Sequence, residues 1–173
     1  MGVKPSISKE EIERGLSNVF RVGVAGQAMV TLTEGVFLVL LANELNAPLF
    51  LIGLLAAIPP LAQLAQIPSV YLIERYRNRK KIFLAGHVGT RISLLLIALT
   101  PILFSPFLAL TFLTVFILFR GIFAAIANSA WNSMVRDLVP SKHLGFFFSR
   151  RWTYSIAVSI PLSLAAGFFI REW

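Results

Sequence analysis

Residues 82–135 read IFLAGHVGTRISLLLIALTPILFSPFLALTFLTVFILFRGIFAAIANSAWNSMV. As a single helix this stretch would measure roughly 80 Å at 1.5 Å per residue, against a membrane hydrocarbon core of about 30 Å. It therefore folds back on itself. The break belongs at Ser105-Pro106, with Pro101 just before it, because a proline disfavours helix at the residue preceding it. Two spans result, 82–104 and 107–135. Working outward, Val22 to Asn43 is apolar apart from Glu34, Ala47 to Ile73 carries no charge, and Thr153 to Ile170 is apolar around Pro161. Each is long enough to cross a bilayer. The sequence thus predicts an all-α, polytopic membrane bundle of five helices (22–43, 47–73, 82–104, 107–135 and 153–170) occupying residues 22–173, preceded by an arm of residues 1–21. A four-span alternative, with span three from Ile92 to Phe119, leaves 121–135 too short to cross and is rejected.

Composition agrees. Of 173 residues, 57% are hydrophobic and 14% charged, where soluble domains carry roughly 25% charged residues. A mean hydropathy of +0.77 excludes a soluble globular domain. With Cys absent and only His87 and His143, thiolate or histidine metal sites and thiol nucleophiles are excluded, and no cofactor is implied. The net charge of +8 does not point to nucleic acid, since the 15 Phe lie largely in apolar runs rather than on a basic face.

The arm opens with Ser8-Lys9-Glu10-Glu11, a Ser-x-x-Glu capping box, and Ile12 and Leu16 share a face, so residues 8–19 read as a short amphipathic helix. Acidic Glu10, Glu11 and Glu13 before the first apolar run argue against a cleaved signal peptide. Lys and Arg alternate between loops: Lys4, Lys9, Arg14 and Arg21 in the arm, Arg75, Arg77, Arg79, Lys80 and Lys81 after span two, and Arg136, Lys142, Arg150 and Arg151 after span four. The loops at 44–46 and 105–106 have none. Basic loops stay cytoplasmic, which predicts a cytoplasmic N-terminus and an outside C-terminus in a plasma or inner membrane.

Ionisable side chains within spans are expensive, at about 2.5 to 3.5 kcal/mol near mid-membrane. Glu34, Arg91 and Arg120 occupy such positions. Glu34 and Arg120, both near mid-depth, are candidates for substrate or proton handling, or alternatively for a structural ion pair. Arg91, four residues after His87, fits a structural, snorkelling role. Gln27 and Thr31 lie close to Glu34 in span one, Gln63 and Gln66 are three apart in span two, and Asn128 and Asn132 four apart in span four. These spacings place each pair on one helix face, as pathway residues or as interhelical hydrogen-bond glue. Pro59-Pro60 and Pro161 mark kinks, and Gly53, Gly121 and Gly167 are expected at close helix contacts.

The loop Glu74-Arg75-Tyr76-Arg77-Asn78-Arg79-Lys80-Lys81 resembles the one between helices two and three of the major facilitator superfamily, Gly-x-x-x-Asp-Arg-x-Gly-Arg-Arg/Lys. Glu74 stands for the Asp and Arg75 for the Arg, while Val70 and Arg77 replace the glycines and Asn78 the next Arg. Arg120 with Ala124, then Asp137-Leu138-Val139-Pro140 with Gly145, is similar to that family's fourth helix and following loop, with Ala124 in place of Gly. The resemblance implies one part of two six-helix bundles built from inverted three-helix repeats. It implies a fragment or truncated product, whose sixth helix and second bundle would be its partners alongside the lipid bilayer. It further implies a secondary transporter that moves a small solute by alternating access, with gating residues Glu74, Arg75, Arg79, Lys80, Arg136 and Asp137. Protonation of Glu34 would release Arg120 for an anionic group, a symport scheme. The Gly-Pro antiporter pattern of helix five is missing at Ile160-Pro161. A non-transporting membrane packing or assembly module is the competing class. An enzyme is not expected, as no His-x-x-Glu-His or Gly-x-Ser-x-Gly pattern occurs.

Overall fold

The computed structural model describes residues 9–76, 78–139 and 144–172. The Ser8 capping box, Arg77 and the stretch 140–143 lie outside the described residues. Among these residues seven helices follow one another: α1 (Lys9–Thr33), α2 (Val36–Glu44), α3 (Leu49–Ala62), α4 (Gln66–Tyr76), α5 (Arg79–Leu103), α6 (Pro106–Leu138) and α7 (Leu144–Glu172). A 3₁₀ turn, Gln63–Ala65, joins α3 to α4. Among the described residues there is no strand, and five spans are long and apolar enough to cross a membrane: Phe20–Glu44, Leu49–Tyr76, Arg79–Leu103, Pro106–Asp137 and Leu144–Phe169. The chain is an all-α membrane protein. Phe50, Ile102 and Phe107 are more than three-quarters exposed, a surface that only lipid tails would solvate cheaply.

Local chemistry sets the breaks. Pro106 opens α6 at the first helical position, where its missing N–H costs nothing, and Phe104 just before is extended (φ −123°, ψ 152°). Between α2 and α3, Asn46 adopts φ 56°, a left-handed conformation that Asn tolerates. The Ala47 N–H then donates to the Ala42 carbonyl and the Asn46 N–H to that of Asn43, both at 2.9 Å, a Schellman cap. The 3₁₀ turn sits where Pro68 would clash with the Leu64 carbonyl four residues back. Pro59 and Pro60, by contrast, lie inside α3.

Three boundaries differ from the expectations. The arm helix does not end before span one; α1 continues from Lys9 to Thr33, since nothing between Val19 and Val22 breaks a helix. Span five starts at Leu144 rather than Thr153, so Arg150 and Arg151 belong to α7. Span one itself is interrupted, as described below.

The described residues group into two compact units, those within 33–134 and those within 1–32 together with 135–173. In the first, Leu38, Ala42, Leu55, Ile58, Leu113 and Ile117 form a buried core. There α5 packs against α6 through glycines: a Cβ at Gly86 would sit 2.9 Å from both the Phe123 carbonyl oxygen and the Ala127 Cβ. Gly121 faces Ala62, 2.5 Å from where a Cβ would stand. Gly53 and Gly167, expected at close contacts, have open space there instead, because those helix faces meet no described neighbour. Buried Thr90, Ser93 and Thr100 each donate to the carbonyl four residues back, at 2.8, 2.9 and 2.7 Å, so their hydroxyls are satisfied without a partner helix. In the second unit, α1 meets α7 through a 2.9 Å hydrogen bond between the Thr31 and Ser159 hydroxyls and an edge-on contact of Phe20 with Tyr154.

Candidate functional site at the break in span one

Within the unit Thr33–Met134, span one is not a continuous helix. α1 stops at Thr33 and α2 starts at Val36, with Gly35 at φ 61° and ψ −122° as the N-cap of α2. That backbone conformation is open to glycine and strained for any other residue. The Gly35 carbonyl accepts the first bond of α2, from the Val39 N–H at 3.2 Å. Glu34 is thereby held between two helix ends of opposite polarity. The N-terminus of α2 carries partial positive charge and the C-terminus of α1 partial negative charge.

Arg120, on α6, completes the arrangement. Its Nη1 donates to Glu34 Oε1, and its Nη2 donates to Thr33 Oγ1 at 3.3 Å. The Arg120 side chain is only 6% exposed, whereas that of Glu34 is 32% exposed. The Nε–H of Arg120 is buried and has no hydrogen-bond partner among the described residues, so the guanidinium has donor capacity that the ion pair does not use. On the other side, Glu34 and Gly35 line a cavity of about 540 Å³ together with Leu38, Ala42, Leu55 and Pro59. Glu34 is the only charged group in that lining. The arrangement sets a carboxylate that borders the cavity against an arginine buried behind it.

The other sequence candidates are more dispersed. Gln66 Nε2 donates to Gln63 Oε1, so this pair bonds within its own span beside the 3₁₀ turn. Asn128 and Asn132 are exposed on α6. Gln27 and Thr31 belong to the other unit, where Thr31 bonds the Gln27 carbonyl at 3.0 Å as well as Ser159. In the loop region, Glu74 and Lys80 are exposed, and Arg75 donates to the Tyr71 hydroxyl on its own helix at 3.5 Å. Arg79 instead reaches the Ser133 carbonyl on α6, also at 3.5 Å, while Asn78 caps α5 by accepting from the Lys81 N–H at 3.2 Å. Arg136 and Asp137 lie exposed near the end of α6. His87 and Phe83 meet edge to face on α5, and Phe83 stacks on Trp131, while Arg91 is exposed. The sequence flagged Glu34 by its charge but not Gly35, whose role is visible only in its backbone angles.

A family model described as Major Facilitator Superfamily matches residues 23–173. The chain belongs to the Major Facilitator Superfamily. Members of the superfamily are membrane transporters rather than enzymes, so a charged pair inside a span is met here in a transport protein. No curated protein and no solved structure matches the chain.

Proposed function

We propose that this superfamily member works in a secondary transporter that moves a small solute by alternating access, coupled to protons through Glu34. The observation that carries this reading is the Glu34–Arg120 pair at the interrupted span. A carboxylate one-third exposed and an arginine almost wholly buried have unequal access to protons. Protonating Glu34 removes the negative charge facing Arg120, whose guanidinium then turns to an anionic group of the solute or shifts with α6. Gln27, Thr31, Gln63, Gln66, Asn128 and Asn132 serve in this scheme as polar positions along the path. Glu74, Arg75, Arg79, Lys80, Arg136 and Asp137 serve the cytoplasmic gate, where the bond from Arg79 to the end of α6 supports a contact that breaks and re-forms. The N-terminus lies in the cytoplasm, and solute movement requires a second helical bundle to enclose the path.

The experiment is a solute-dependent proton flux. Vesicles containing a pH-sensitive dye carry either this chain alone or the chain joined to a second bundle of the superfamily, and are challenged with a panel of small solutes. Flux is expected only with the second bundle and is lost in Glu34→Gln. Flux that persists undiminished in Glu34→Gln removes the proton role from this residue. A pair that is structural only leaves solute movement independent of the proton gradient.

A further inference from the structure

We infer that the unit formed by α1 and α7 carries a binding site for one anionic phospholipid, independent of the transport reading above. Span one begins at Phe20, and Phe20 packs edge-on against Tyr154 of α7 with ring centroids 5.2 Å apart. Three arginines lie within four residues of this contact in sequence. Arg21 follows Phe20 directly; Arg150, one helical turn before Tyr154, places its guanidinium 5.8 Å from the centre of that ring; and Arg151 lies across α1 against Gly23, where a side chain would collide with it. The glycine is what lets a guanidinium approach the α1 backbone.

Between the same two helices lies a groove of about 310 Å³, lined by Phe20, Arg21, Val24, Ala25, Ala28, Tyr154 and Val158; Arg21 is the one arginine of the three in this lining, and Arg150 sits over the Tyr154 ring that also lines it. Among the described residues the groove's lining is apolar apart from Arg21 and the Tyr154 hydroxyl, and contains no acid. From Arg21 to Ala28 it descends about 10 Å, seven residues at 1.5 Å each. A cationic mouth over a narrow apolar trough made by small side chains matches a phosphodiester headgroup with the upper part of one acyl chain. Basic pockets between membrane helices are a recurrent way of holding such lipids. A free anion would use the mouth but leave the trough unexplained, and a zwitterionic lipid offers the same phosphate together with a cation that the arginines repel.

The test uses the whole chain, purified in detergent and freed of lipid, titrated with dioleoyl phosphatidylglycerol or dioleoyl phosphatidylcholine and followed by native mass spectrometry. One phosphatidylglycerol is expected to bind at least about tenfold more tightly than phosphatidylcholine, since each cation near a headgroup contributes roughly a factor of five and two of them exceed ten. The double change Arg21→Gln with Arg150→Gln should abolish the preference. Should that variant fail to fold, Arg21→Lys with Arg150→Lys keeps the charges and should keep the preference, while Ala25→Phe fills the trough and should weaken dioleoyl phosphatidylglycerol without affecting the dihexanoyl form. Equal binding of the two headgroups by the unaltered chain overturns the site. So does full displacement by millimolar inorganic phosphate, which would make it a site for a free anion.

Discussion

Replacing one member of the Glu34–Arg120 pair should cost far more at one end than at the other. Glu34→Gln leaves Arg120, 5% exposed overall, with only the Thr33 hydroxyl for company. Stranding a buried charge costs about 3 to 5 kcal/mol, and access of water through the Glu34 side brings the expected loss to the low end, about 3 kcal/mol. Arg120→Gln leaves a carboxylate that is 32% exposed and can hydrate, so the expected loss is about 1 to 2 kcal/mol. The double variant removes both charges and should lose no more than about 2 kcal/mol, giving a coupling of roughly 2 to 3 kcal/mol. The assay is reversible unfolding in mixed micelles, read by circular dichroism across the four proteins of the cycle. Additive losses, or a costlier Arg120→Gln than Glu34→Gln, would refute the reasoning from burial.

Three further outcomes follow from the packing and capping. Gly86→Val places its Cβ against the Phe123 carbonyl and Ala127 Cβ, both 2.9 Å away, and should cost about 1 to 3 kcal/mol in the same unfolding assay; Gly53→Ala, with open space around it, should fall within about 0.5 kcal/mol of the unaltered chain. Asn78→Ala deletes the side-chain cap of α5 and should lose about 0.5 to 2 kcal/mol, with Asn78→Asp retaining most of it. Because the chain has no Cys, a membrane-impermeant thiol reagent should label Ser105→Cys in intact cells and Asn78→Cys only after the membrane is opened; the opposite pattern would invert the topology.

The fold was legible because lipid imposes length and apolarity on every span, and residues 22–173 carry that signature without ambiguity. The Ser105-Pro106 break was equally open to reading, since proline acts locally through its own ring. What hydropathy missed depends on backbone sign and on neighbours. Gly35 looks like any small residue within an apolar run, yet its φ of 61° splits span one beside Glu34; the Glu34-Gly35 dipeptide was the available signal. Pro68 acts on the carbonyl of Leu64, a local effect that an apolar run hides, and the meaning of Gly86 and Gly89 lies in Phe123 and Ala127 on another helix. Mid-span depth singles out Glu34 and Arg120, and their meeting is a tertiary fact that depth alone could only suggest. The polar pairs were right in being neighbours on a helix but differ in surroundings: Gln63 and Gln66 bond each other, whereas Asn128 and Asn132 face outward.

The central claim is that Glu34 gains and loses a proton while facing Arg120. Infrared difference spectroscopy of the chain in lipid, between neutral and acid buffer, tests it directly, because a protonated carboxyl absorbs apart from a carboxylate. A carboxyl band that grows on acidification and is absent in Glu34→Gln is the result predicted here. An identical difference spectrum from the Glu34→Gln protein would contradict the claim.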